Sequence, residues 1–295
     1  MLQGTPIYDI CTLSDFREQD ILISRFAPYL AHHKNLSAAH RHTFYHVVLF
    51  TAGAGTHSID FEKFCVKPYQ IYFMVPGQVH SWSFEGFTDG YIINFSAAFF
   101  QSFLLNPSYP EAFSFFGDDV KAAVIDLPDH LHQKIIDLFE AIVSETENKE
   151  TSATDMIKIL MLQLFITIER LSKKNAGKGP ASYNQTLLRN FQRLIGEHYT
   201  RIKLPKDYAE LLYITPNHLN AICKDLLGIS AGDVIRNRMM LEAKRLLTNP
   251  KLNITEIAFM LNFSDNSYFT KFFKKFEGKT PEEFRKGIID HHRHE

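Results

Sequence analysis

Cysteine and tryptophan are scarce in this chain and neither sign of charge prevails: 295 residues hold three Cys, one Trp and a formal net charge of −1. The thiols, Cys11, Cys65 and Cys223, are odd in number and share no metal-ligand spacing, so they build neither a disulfide framework nor a cysteine zinc site. No apolar run is long enough to span a bilayer, and the N-terminus lacks the charged and apolar regions of a signal peptide. These absences set the expectation of a cytoplasmic protein with no membrane partner.

The near-zero charge is an average of two unlike parts. Tyr183 to Glu295 hold 18 Lys and Arg against 13 Asp and Glu, whereas Met1 to Ser182 hold 14 against 20. A basic C-terminal part fits a phosphate-binding surface, and an acidic N-terminal part has another task. The length also favours two domains. Ser172 to Ser182 is polar, bears Gly and Pro, and has no apolar period, which is the composition of a linker. The expected division is therefore 1–172, a linker over 173–183, and 184–295.

The C-terminal part repeats itself. Ala209 followed by Thr215 matches Ala258 followed by Ser264 at an offset of 49, and Leu219, Lys224, Gly228 and Ser230 match Phe269, Lys274, Gly278 and Thr280 at an offset of 50. Each copy, at about 204–228 and 254–278, reads as a helix-turn-helix. A small Ala lets two helices cross closely, Thr215 or Ser264 caps the second helix, and Gly228 or Gly278 ends it in the left-handed conformation. Leu219, Ile222, Cys223 and Leu226, and Phe269, Phe272, Phe273 and Phe276, give each second helix a buried face. The opposite face is left for DNA. Ala231 to Leu247 forms the connecting helix.

Two copies in this register resemble the DNA-binding domain of the AraC/XylS family of bacterial transcription regulators. The resemblance covers about Asn184 to Lys286 and rests on Arg238, Ala243, Leu246, Leu247, Ile254, Ile257, Ala258, Phe263, Ser264, Phe269, Phe273, Lys274, Thr280, Pro281, Phe284 and Arg285. It implies double-stranded promoter DNA as a partner, with RNA polymerase as a further one, and activation rather than repression. Carried over residue by residue, the base-facing positions are Asn217, Asn220 and Ala221 in the first copy and Asn266, Ser267, Thr270 and Lys271 in the second. Ala221 departs from the family, where Arg is frequent, and offers a thymine methyl contact instead; Asn220 suits a bidentate pair with adenine. Lys224 and Lys274 point to phosphates, and Arg236, Arg238 and Lys244 support the connecting helix. The two readers are expected in successive major-groove faces about 34 Å apart.

The N-terminal half reads as short strands, Phe44 to Thr51, His57 to Phe61, Gln70 to Val75, Ser81 to Phe84 and Tyr91 to Phe95, separated by Gly, Pro or Asp. Two amphipathic helices follow, at about 129–145 and 153–172. His40, His42 and His46, then Gly53, Gly55, Pro76, Gly77 and His80, resemble the two motifs of a cupin barrel over roughly residues 30 to 96. The fold expected is thus α+β in two domains: a cupin-like β-barrel with trailing helices, then an all-α tandem helix-turn-helix. The helices are placed where family members often form a homodimer, though packing within one chain explains the pattern equally well.

His40, His42 and His46 share parity and so face one side of a continuous strand, where His80 can join them. Two readings stay open. Four imidazoles can hold Zn²⁺, Ni²⁺, Cu²⁺ or Fe²⁺, although His46 stands where metal cupins usually carry Glu. Alternatively His40, His42, His46, His80 and Trp82 line a pocket for a small polar effector such as a sugar, with no metal and no cofactor. The expected protein is an effector-responsive regulator and not an enzyme. A metal-dependent cupin enzyme with an appended DNA-binding module, or a constitutive DNA binder, are the competing readings. The terminal His291, His292, Arg293 and His294 are assigned no role.

Overall fold

The computed structural model describes residues 6–10, 20–33, 36, 38–100, 109–110, 113–117, 119–148, 150–175 and 183–291. Cys11, most of the linker and residues 292–295 lie outside the described residues. Contacts divide the chain near Lys178 and Gly179 into two compact units. Each has a core of its own.

The N-terminal unit is built from β1 (Ile7–Tyr8), β2 (Ile21–Arg25), α1 (Phe26–His32), β3 (His40–His42), β4 (Tyr45–Ile59), β5 (Glu62–Val66), β6 (Gln70–Met74), β7 (Val79–Phe95) and β8 (Val124–Asp126), then α2 (Asp129–Asn148) and α3 (Ala153–Asn175). Four of the short strands read from the sequence are halves of two long ones. β4 and β7 form one antiparallel ribbon, from Tyr45 opposite Phe95 to Ile59 opposite His80, with register shifts between Phe50 and Ala54. One half of the ribbon is flanked by β6 and β2, the other by β5 and β3. Gly53 (φ 126°) and Gly55 (φ 130°) sit at the shifts, where a Cβ on Gly55 would lie 2.2 Å from the Ser83 carbonyl oxygen. Such a bulge bends the ribbon.

Both faces of the ribbon are covered, which explains the unbroken burial of Tyr45 to Phe50. Tyr45, Val47, Leu49, Ile93 and Phe95 pack outward with Phe139, Met161, Leu164 and Phe165 of α2 and α3. Val48, Phe50, Tyr72, Trp82 and Ile92 pack inward with Phe26. Truncating a fully buried aromatic such as Phe165 costs about 3–5 kcal/mol. The helices run to Asn148 and Asn175, past the ends read from periodicity, so the expected linker start at 173 still lies in helix.

The C-terminal unit is all helix: α4 (Tyr183–His198), α5 (Pro205–Leu211), α6 (Pro216–Leu227), α7 (Ala231–Leu247), α8 (Ile254–Met260), α9 (Asn266–Glu277) and α10 (Pro281–His291). Ala209 and Ala258 are fully buried at the two helix crossings. Tyr213 and Asn262, again 49 apart, both take φ 55° in the turn between paired helices. This left-handed turn is the repeat's second structural signature, at a backbone cost of roughly 1–2 kcal/mol for a residue with a Cβ.

Candidate nucleic-acid interface and sensor site

In the first copy, Thr215 caps α6 by accepting from the His218 N–H, and Gly228 closes it with φ 74°. In the second, the cap is Asp265, which accepts from the Tyr268 N–H at 2.7 Å; Ser264 instead donates its hydroxyl to the Asp265 carboxylate. The sequence reading of Ser264 as the cap is corrected by one residue. A carboxylate serves an exposed N-terminus better than a hydroxyl because it also opposes the helix dipole. The Tyr268 N–H holds the Asp265 carboxyl below the usual aspartate range. Gly278 closes α9 with φ 78°.

Between these caps each second helix buries one face. Leu219, Ile222 and Cys223 are buried on α6, as are Phe269 and Phe273 on α9. Leu226 and Phe272 are half-buried, while Phe276, expected in the core, is exposed and packs its ring on Phe272 at 5.0 Å. Asn217, Ala221 and Lys224 on α6 are exposed, as are Asn266, Ser267, Lys271 and Lys274 on α9; Thr270 is half-buried. His218 and Tyr268, also exposed and 50 apart, were not singled out from the sequence. The apolar spacing of their neighbours was the available signal.

Asn220 differs from these. It is half-buried, and its Oδ1 accepts from the backbone N–H of Ala231 at 3.2 Å. Ala231 is the first residue of α7 and is fully buried, so its N–H, one of the donors a helix start leaves unpaired, is shielded from water. The second copy carries Thr270 and Pro281 at the equivalent positions. Proline has no N–H, so no acceptor is needed there, and the first helical position is where proline fits best. Asn220 is therefore engaged inside the fold, and the adenine pair read from the sequence requires that bond to be given up.

The charge on the two faces is unequal. α6 carries Lys224 beside Asp225, whereas α9 carries Lys271, Lys274 and Lys275 with Glu277. Glu277 is paired with Lys244 at 2.6 Å. On the connecting helix Arg236 pairs with Asp233, and Arg238 reaches Glu242 at 3.1 Å and stacks over Tyr199 at 4.6 Å. These contacts are the supporting ones expected of Arg236, Arg238 and Lys244.

In the N-terminal unit, the histidines converge on the inner core. Thr43 and Phe44 interrupt the continuous strand expected of His40, His42 and His46, yet His40 and His42 on β3, His46 on β4 and His80 on β7 still meet. The ligand atoms of His40, His42 and His80 lie within 4.8 Å of one another. His42 Nε2 and His80 Nε2 are 2.7 Å apart, and His80 Nδ1 is 3.2 Å from Nε2 of His57. His57 was missed because it has odd parity: the bulge switches the inward residues of β4 from His46, Val48 and Phe50 to His57 and Ile59. Trp82 packs among the imidazoles, edge-on to His80 at 5.0 Å and tilted against His57 at 5.1 Å. Burial lowers the pKa of all five, His40 to about 4 and His46 to about 3, so all are neutral at physiological pH.

Two profile matches fall on these two sites. Residues 25–165 match the AraC-like ligand binding domain, and residues 208–287 match a helix-turn-helix domain. The chain belongs to the AraC/XylS family. Its ligand-binding match runs past the cupin-like motifs to include α2 and much of α3. The Msm operon regulatory protein of Streptococcus mutans serotype c is 28% identical over 156 residues, which is 51% of this chain and 56% of that protein. The arabinose operon regulatory protein of Escherichia coli K12 is 24% identical over 241 residues, 80% of this chain and 78% of that one. Among solved structures, the C-terminal domain of the response regulator yesN from Fusobacterium nucleatum is 32% identical, with a TM-score of 0.31, covering 32% of this chain and 93% of that domain. The chain thus spans about half the length of the first of these AraC/XylS relatives. Among the described residues, no helix is long and apolar enough to cross a membrane.

Proposed function

We propose that the protein is a transcription regulator that binds promoter DNA through α6 and α9 and is switched by a small ligand in the N-terminal unit. The carrying observation is the pair of exposed polar faces at equivalent positions of the two second helices. Asn217 and Ala221 on α6, and Asn266, Ser267, Thr270 and Lys271 on α9, face the bases; Lys224 and Lys274 face phosphates. Asn220 supports the first reader from behind. The effector is polar and is held by His40, His42, His46, His80 and Trp82, whose close ring packing suits a ligand well below the sugar size expected from the sequence. Relatives named as an arabinose operon regulatory protein and the transcriptional activator RhaR support reading it as an effector-responsive activator, for which RNA polymerase is the further partner we infer.

The regulator acts as a homodimer joined through α3. Met156 and Ile159 are exposed there, and Leu162 and Ile166 are half-buried beside them, a larger apolar strip than a solvated helix face needs. Effector binding shifts the population of dimer geometries and so the presentation of the readers. Footprinting on the DNA upstream of neighbouring genes tests the reading. Protection confined to specific sites, relaxed by Asn217→Ala and Lys271→Ala, is the expected result. Binding that is indifferent to sequence and collapses with salt in the wild type overturns it.

A further inference from the structure

The five histidines are packed ring against ring with Trp82, Tyr72 and Phe44, a setting for a very small ligand. Their free atoms point to one kind. His40 Nδ1–H donates to the Ala38 carbonyl at 2.7 Å and His46 Nδ1–H to Asn94 Oδ1 at 2.6 Å, which fixes both tautomers and leaves each Nε2 with a lone pair. Neither Nε2 has a hydrogen-bond partner, although both are buried. Buried acceptors without donors are costly, and an outer hydrogen bond on one ring nitrogen that frees the other is the arrangement of metal-binding histidines.

We propose that His40, His42 and His80, with His46 as the fourth ligand, hold a divalent first-row transition ion such as Zn²⁺ through their ring nitrogens, and that His57 positions His80. Among the described residues, this trio is the group of His, Cys, Asp and Glu side chains close enough to share an ion. Two nitrogens bound to one ion at about 2.0–2.1 Å stand about 3.3 Å apart. The ion therefore replaces the 2.7 Å bond between His42 Nε2 and His80 Nε2, opening that pair by about half an ångström and drawing the widest pair in by about 1.5 Å. With His80 Nδ1–H donating to His57 Nε2, the proton in the displaced bond is that of His42 Nε2, and it moves to the unpartnered His42 Nδ1, which leaves both Nε2 lone pairs for the ion. An all-imidazole set suits Zn, Ni, Cu or Fe and disfavours Mg or Ca.

This inference rests on the reading of the cluster as the sensor's ligand site, and its test uses no DNA, so it fails separately from the reader assignment. The full-length protein is stripped with a chelator and titrated with Co²⁺ and then Zn²⁺, reading visible cobalt absorption and bound metal per chain. The expected result is one Co²⁺ per chain, displaced by Zn²⁺, with binding lost in His42→Gln and His80→Gln and weakened about 10–100-fold in His57→Phe. A variant carrying His291→Asn, His292→Asn and His294→Asn keeps the ion. His46→Glu, which retains all three core histidines, folds and shifts preference toward Mn²⁺ and Fe²⁺. The proposal is overturned if stripped protein with a native near-ultraviolet dichroism spectrum takes up no stoichiometric metal, or if uptake survives in folded His42→Gln. An unchanged metal preference in His46→Glu removes His46 from the ligand set.

Discussion

Replacing Asn220 with alanine separates a scaffold residue from a base reader. In the fold, Asn220 Oδ1 accepts from the buried Ala231 N–H at 3.2 Å. The substitution strands that donor, and a buried donor left unsatisfied costs about 1–3 kcal/mol. Each kcal/mol lowers the melting point of a domain of this size by roughly 4–8 °C. The assay is calorimetry on full-length protein, following the transition of the C-terminal unit, with Asn217→Ala as an exposed control that leaves it in place. A second background sharpens the test. Ala231→Pro copies the second repeat, in which Pro281 starts α10, and removes the donor itself; Ser230 at φ −73° and ψ 156° already has the backbone that a following proline needs. In that background Asn220→Ala is expected to cost almost nothing, giving a coupling energy of about 1 kcal/mol or more in the double-mutant cycle. The reasoning fails if Asn220→Ala melts with the wild type, or if its cost is the same in both backgrounds. Changed base preference without loss of stability would return Asn220 to the reader set.

Four further outcomes follow from the geometry. Lys271→Ala lowers the slope of log affinity against log salt by about 0.9 if it neutralises one phosphate, or costs about 1–3 kcal/mol of discrimination at one base pair if it reads a base; titrations at several salt concentrations distinguish these, and an unchanged affinity and slope remove it from the interface. Asp265→Ala lowers the melting point of the C-terminal unit more than Ser264→Ala does, and the reverse order would restore Ser264 as the cap. Ile159→Asp yields monomers by sedimentation if α3 forms the dimer, whereas an unchanged dimer places the interface elsewhere. Burial raises the Asp89 carboxyl, but hydrogen bonds from Arg25 and from the Ala27 N–H outweigh it and hold the pKa below the usual value. The stability this contributes is present above the ordinary aspartate pKa of about 3.9 and is lost as pH falls through the lowered one, so acid unfolding of the N-terminal unit begins at higher pH in Asp89→Asn.

The sequence exposed the elements whose signals are local. Ala209 and Ala258, Gly228 and Gly278, and the connecting helix Ala231–Leu247 stand where spacing alone put them. Signals that depend on tertiary context were lost. His57 looks outward by strand parity until the bulge near Gly53 and Gly55 is known, and parity counting has no means of seeing a bulge. Four short strands were read where two long ones run because Gly and Asp mark a bend as readily as a turn. Asp265 was passed over for Ser264 because the repeat aligned on the hydroxyl. Asn220 has the side chain of an adenine reader and the location of one; only the partner 11 residues later shows where its oxygen is spent.

If the two second helices read DNA as proposed, their unequal charge bears on how the protein arrives there. Attraction to a polyanion acts before any base is within reach, and it is strongest where cations cluster. α9 presents Lys271, Lys274 and Lys275, while Lys224 on α6 has Asp225 beside it. Under the proposed function, encounter is led by α9, which would hold the domain on the duplex during sliding while α6 comes to its groove second. Salt would then slow arrival through α9, and a mismatched base under α6 would shorten the stay.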